Sequence, residues 1–180
     1  RVSPDATEKQ GVLHVVRKIN WDILIFMIAI FLVVQGLRSA GAIAVYAALF
    51  ANALTLPSVL SVLVPSLLVT VSASAMNNWP MTFLGLLSIK DAILINGLSP
   101  YASTSLIFAN IIGNNLGPHF FPLGSLAILM WLGTMRRKGL TVRLVDYLKV
   151  GSILSIVEVA TASLLLWLEL FFIPPLIILV

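Results

Sequence analysis

No cysteine occurs anywhere in the 180 residues, so disulfide staples, thiolate zinc sites and thiol nucleophiles are excluded. Charge is scarce too: lysine, arginine, aspartate and glutamate make up 10% of the chain, against roughly 25% in an ordinary soluble domain. There is no phosphate-cradling glycine loop, no catalytic triad and no metal-ligand spacing, so ATPase activity has no support, the chain does not read as an enzyme, and no cofactor or metal is called for. What remains is hydrocarbon. Hydrophobic residues make up 59% of the chain, an excess that would leave apolar patches which soluble monomers do not carry. A bilayer removes that difficulty, and the implied fold class is an all-α integral membrane protein, a polytopic helical bundle.

The few charges are segregated. Arg1, Lys9, Arg17 and Lys18 precede the first apolar run, and Arg136, Arg137, Lys138, Arg143 and Lys149 cluster near the other end. Beside membrane spans such clusters read as cytoplasmic flanks under the positive-inside rule rather than as nucleic-acid contacts. The chain opens Arg-Val-Ser-Pro without an initiator methionine or a signal-peptide pattern, and reads as the C-terminal part of a longer protein.

Residues 1–20 are polar and read as a cytoplasmic loop; residues 21–180 read as a transmembrane transport domain. Trp21 to Leu37 has the length of a span, whereas Ala40 to Leu56 reads as a helix at the interface or a second span. From Pro57 to Ile95 the apolar run would make one helix of about 58 Å, longer than any bilayer is thick. Asn77-Asn78-Trp79-Pro80 breaks it, predicting a re-entrant helical hairpin with arms over Pro57–Met76 and Met81–Ile95, and Asn96-Gly97 and Ser99-Pro100 mark its exit. Residues 101–135 are again too long for one span, and Gly113 to Gly124 interrupts them. That predicts a broken helix, with half-helices at Tyr101–Ile112 and Ser125–Met135 joined by unwound chain. A last span covers residues 150–172 and ends before Pro174-Pro175. With the hairpin entering and leaving on the outer side, the cationic loop at 136–149 falls in the cytoplasm, as its charge requires.

Backbone breaks at bilayer depth leave peptide groups unpaired at several kcal/mol each, roughly, and survive only where protein, water or solute completes those bonds. Two such breaks point to a transport site, where broken helices meet near the midplane. Asn77, Asn78, Asn114 and Asn115 supply four amides that both donate and accept, which suits a small, uncharged polar solute. Each has a plainer reading as well. Asn77 and Asn78 are also helix caps; Gly113, Gly117 and Gly124 also permit tight turns and close helix approach; Ser125 is an N-cap before it is a ligand. Imidazole is the side-chain type that ordinarily titrates near neutral pH, so His119 is a proton-coupling candidate or a loop-surface histidine. Glu158, inside the last span, is the second such candidate, or else pairs with a partner in the missing half or faces a wet crevice. Asp22 and Glu169 lie near span ends and read as interfacial.

The motifs Ser74-Ala75-Met76-Asn77-Asn78-Trp79-Pro80, Ala109-Asn110-Ile111-Ile112-Gly113-Asn114-Asn115-Leu116-Gly117-Pro118 and Pro122-Leu123-Gly124-Ser125-Leu126-Ala127 resemble the C-terminal half of the arsenite/antimonite efflux permeases, the ArsB family of the ion transporter superfamily. The run Phe31 to Gly41 and the stretch from Lys138 through Tyr147 fit the same family. The resemblance implies a multi-pass permease of the cytoplasmic (inner) membrane that exports arsenite or antimonite by proton antiport and confers arsenical resistance. In some systems a separate ATPase subunit assists. It also implies two inverted halves, of which this chain holds the second. One departure matters: at Asn115 many arsenite permeases are expected to carry Asp, and at Asn114 Cys. A neutral amide cannot exchange protons, so coupling falls to His119, Glu158 or the absent half. The rivals are a sodium/proton antiporter or a carboxylate transporter of the same superfamily. From another class comes a non-transporting membrane subunit, in which the four asparagines would be dispensable.

Overall fold

The computed structural model describes residues 21–172; the expected loop over residues 1–20 and the Pro174-Pro175 stop lie outside the described residues. Seven α-helices and two short 3₁₀ turns follow one another among the described residues, with no strand. Helix α1 (Trp21–Ser39) gives way at Gly41, whose φ of 80° only glycine adopts without strain, to α2 (Ala42–Leu54). The bend there is 73°. With 13 residues, α2 is about 20 Å long, short of the roughly 30 Å hydrocarbon layer on its own. Its buried positions, Ile43, Ala47, Phe50 and Ala53, recur at helical spacing, and α2 packs chiefly against α4.

Helices α3 (Leu60–Met76) and α4 (Asn78–Asn96) are separated by one residue, Asn77, at φ 82° and ψ 146°. The second arm therefore starts three residues before the expected Met81. Trp79 and Pro80 stand in its first turn, where a missing N–H leaves no intrahelical bond unmade. The arm ends at Gly97 (φ 60°), whose N–H donates to the Ile93 carbonyl. Helix α5 (Pro100–Leu116) then opens with Ser99 Oγ accepting from the Ala102 N–H at 3.2 Å and Pro100 in its first turn.

The largest departure from expectation is in α5. Gly113, Asn114 and Asn115 were expected in unwound chain, yet they are helical, and the interruption comes later, in the 3₁₀ turns Gly117–His119 and Pro122–Gly124. The asparagine side chains hold the helix rather than competing with it: Asn114 Nδ2 donates to the Asn110 carbonyl and Asn115 Nδ2 to the Ile111 carbonyl, each at 2.8 Å. Helix α6 (Leu126–Arg137) and the 29-residue α7 (Leu144–Phe172) complete the bundle. At about 44 Å, α7 is long and apolar enough to cross a membrane alone; Ile28–Ser39, within α1, and α2 qualify together as a bent pair.

Phe50, Val69, Met81, Leu84, Ile89 and Leu106 form the main core, shared by α2, α3, α4 and α5; Val62, Leu166 and Leu170 join α3 to α7. Large apolar side chains also cover the outside, among them Ile28, Leu32, Leu94, Ile95, Ile153 and Phe172. In lipid the apolar inside gains little over the apolar outside. Association must then come from close packing and interhelical polar contacts.

Candidate functional site

The most extensive helix pair is α3 with α5. On α3 the hydroxyl residues Ser66, Thr70 and Ser74 recur every four positions, each buried, and each donates to the carbonyl one turn back at 2.8 to 2.9 Å. Facing them stand Gly113 on α5 and Gly117 at the start of the first 3₁₀ turn. A Cβ at Gly113 would lie 2.5 Å from Val69 Cβ and 2.7 Å from the Ser66 carbonyl oxygen; at Gly117 it would lie 2.9 Å from that of Thr70. Both glycines permit the close approach of the two segments. Ser74 Oγ also lies 2.7 Å from the Gly117 carbonyl, so its single O–H is shared between the turn of α3 behind it and one peptide group of the interrupted region.

Asn77 caps α4: its Oδ1 accepts the Trp79 N–H at 3.1 Å. Its backbone lies where residues other than glycine cost about 1–3 kcal/mol. Replacing the cap by glycine loses only a few tenths. Asn77→Gly is therefore expected to stabilise the protein by about 1 kcal/mol in thermal unfolding of the detergent-purified whole protein. Asn78 does not cap. Its Oδ1 is buried without a hydrogen-bond partner among the described residues, and so is that of Asn114. Asn114 is 4% exposed, while its neighbour Asn115 points to the exposed side of α5. Of the two adjacent amides only the first enters the core.

Gly124 is buried and closes the second 3₁₀ turn. Ser125 occupies the N-cap position of α6, but its side chain caps nothing. Glu158 Oε2 lies 2.8 Å from His119 Nδ1. The two proton-coupling candidates, 39 residues apart, thus form one pair, with side chains 38% and 31% exposed. The His119 carbonyl sits where a Cβ at Gly151 would fall, so the turn rests directly on α7. Ser155 Oγ adds a bond to the Leu116 carbonyl at 3.1 Å. Beside the pair opens a cleft of about 380 Å³ lined by His119, Trp131, Asp146, Tyr147 and Val150 among others. The cationic residues Arg136, Arg137, Lys138 and Arg143 all lie exposed around the α6–α7 connection.

Sequence reasoning missed Asn110 and the Ser66, Thr70 and Ser74 row. The signal was present as four-residue spacing: Asn110 to Asn114, and the three hydroxyls along α3.

A bundle of apolar helices with a lipid-ready exterior and buried polar groups gathered at its interruptions defines a multi-pass helical membrane protein. The family model described as arsenical pump membrane protein matches residues 3–170. The chain belongs to the arsenical pump membrane protein family. It is 36% identical over 143 residues to the arsenical pump membrane protein of Yersinia enterocolitica, which covers 79% of this chain and 32% of that protein. The proteins of the same name in Escherichia coli (35%) and Shigella flexneri (36%) match over the same length and shares. The chain therefore spans about a third of the length of these relatives. No solved structure matches it.

Proposed function

We propose that the protein exports arsenite or antimonite across the cytoplasmic (inner) membrane by exchange for protons, with residues 21–180 as one half of the transport domain and residues 1–20 as a cytoplasmic loop. The observation that carries this reading is the uncharged, buried polar junction where α4 begins and α5 ends. Its free groups are amide oxygens, and no lysine or arginine stands there to hold an anion. Trivalent arsenic as a neutral trihydroxide meets such a surface with hydroxyl groups and needs no counter-charge. The relatives, named arsenical pump membrane proteins, support the choice of solute. Asn78 and Asn114 are the solute-contacting residues in this account; Gly113 and Gly117 set the helix spacing around them. The His119–Glu158 pair is the proton-exchanging element, because it joins a base and an acid at the interruption with partial access to water. The cationic α6–α7 connection lies on the cytoplasmic side, where a separate ATPase subunit would dock.

The test is arsenite uptake into everted membrane vesicles carrying the whole protein, with a proton gradient imposed or collapsed and sodium substituted in parallel. Accumulation is expected only with the gradient, and is expected to fall about tenfold or more in Asn78→Ala and Asn114→Ala. Sodium-dependent proton flux without arsenite movement would move the assignment to a sodium/proton antiporter, a reading that the two free amide oxygens also fit as cation ligands.

A further inference from the structure

An asparagine amide has two ends of nearly the same shape, and the surrounding hydrogen bonds decide which end faces where. At Asn114 the nitrogen end is committed, since Nδ2 donates to the Asn110 carbonyl at 2.8 Å and to Asn110 Oδ1 at 2.9 Å. Asn110 is committed in turn, because its own Nδ2 donates to the Thr82 carbonyl at 3.4 Å. Turning the Asn114 amide over would set its oxygen against two others. The relay therefore runs one way, and it ends on the free Oδ1 of a residue that is 4% exposed. Gly85 makes the relay possible, because a Cβ at that position would occupy the place of the Asn110 amide. Helices α4 and α5, joined by a three-residue connection, run antiparallel. Asn110 is level with Thr82 and Gly85, so one turn further on Asn114 comes level with Asn78 at the start of α4. The other free amide oxygen belongs to that residue.

We propose that Asn110 is a positioning residue that sets the polarity of the solute site. Through Asn114 it makes the tip of the hairpin an acceptor of hydrogen bonds, so that the solute enters as an uncharged, hydroxyl-bearing species and anions are refused. The inference rests on the arsenite reading and deepens it. A trihydroxide offers O–H donors to the waiting oxygens without charge, whereas a carboxylate offers only lone pairs and an oxyanion such as arsenate brings negative charge against them.

The experiment measures uptake kinetics for arsenite in everted vesicles carrying the whole protein, with arsenate as competitor, together with thermal unfolding of the purified protein. Wild type is compared with Asn110→Ala and with Gly85→Ala, which keeps every polar group but displaces the Asn110 amide. Both variants are expected to raise KM by about tenfold with the maximal rate held within about twofold, and to let arsenate compete. Lowered unfolding temperatures with unchanged KM and unchanged competition would overturn the proposal by reducing Asn110 to a structural part. So would sodium alone stabilising wild type but not Asn114→Ala, since the oxygens would then hold a cation. If Asn110→Ala fails to fold, Gly85→Ala decides. Wild-type vesicles that take up no arsenite overturn the transport reading itself, a failure visible before any variant is compared.

Discussion

Gly113→Ala is expected to abolish most transport, although alanine is the better helix former by about 1 kcal/mol. The added methyl would meet Val69 Cβ at 2.5 Å and the Ser66 carbonyl oxygen at 2.7 Å. Neither is the far end of a flexible side chain, so α3 and α5 must separate. Overpacking of this kind costs about 1–3 kcal/mol, and here it falls on the most extensive helix pair of the bundle. The separation would also pull Ser74 away from the Gly117 carbonyl and shift Asn114 out of line with Asn78. Gly133 on α6 provides the comparison, because a Cβ there would meet nothing within 4 Å. Gly133→Ala is expected to leave transport intact and to raise stability by up to about 1 kcal/mol. Thermal unfolding and vesicle uptake on the two variants check both halves of the prediction; equal behaviour would deny the close approach its role.

The second large effect is expected at Glu158. Glu158→Gln keeps the size of the side chain and a hydrogen bond to His119 while removing the group that can take up and release a proton. Both side chains of the pair remain about a third exposed, so the loss of stability is expected to stay near 1 kcal/mol. The loss of coupling is expected to be far greater: the gradient-dependent part of arsenite accumulation should fall about tenfold or more, while exchange of arsenite at equal concentrations on both sides persists. Asp146 and Tyr147 line the same cleft, and their variants serve as comparisons for a general effect of charge or polarity there. A Glu158→Gln protein that still accumulates arsenite against its gradient would place proton exchange elsewhere.

Much of this architecture was legible in the sequence because breaks in apolar runs are written in residue types that disfavour helix. Asn77 marked the hairpin turn, and Gly97, Ser99 and Pro100 marked its exit, each by its own local chemistry. Local chemistry misled at Gly113-Asn114-Asn115. Those residue types favour loops when nothing packs on them, but here the glycine is required by the neighbouring helix and the two amides bond back to carbonyls four residues earlier. Pro80 misled in the same way: it reads as punctuation, yet the first turn of α4 accommodates it. What no local pattern could show was pairing across the chain. His119 and Glu158 were each visible as titratable groups in apolar surroundings, but their partnership depends on the turn after α5 lying on α7 at Gly151. The direction of the Asn110–Asn114 relay likewise depends on the Thr82 carbonyl, contributed by a different helix.

The central claim is that the free amide oxygens at the hairpin tip meet the transported solute. Equilibrium binding of arsenite to the purified whole protein, wild type against Asn114→Ala and Asn115→Ala, tests it most directly. The account predicts saturable binding that weakens about tenfold or more in Asn114→Ala and changes little in Asn115→Ala. Equal affinity in wild type and Asn114→Ala would contradict it.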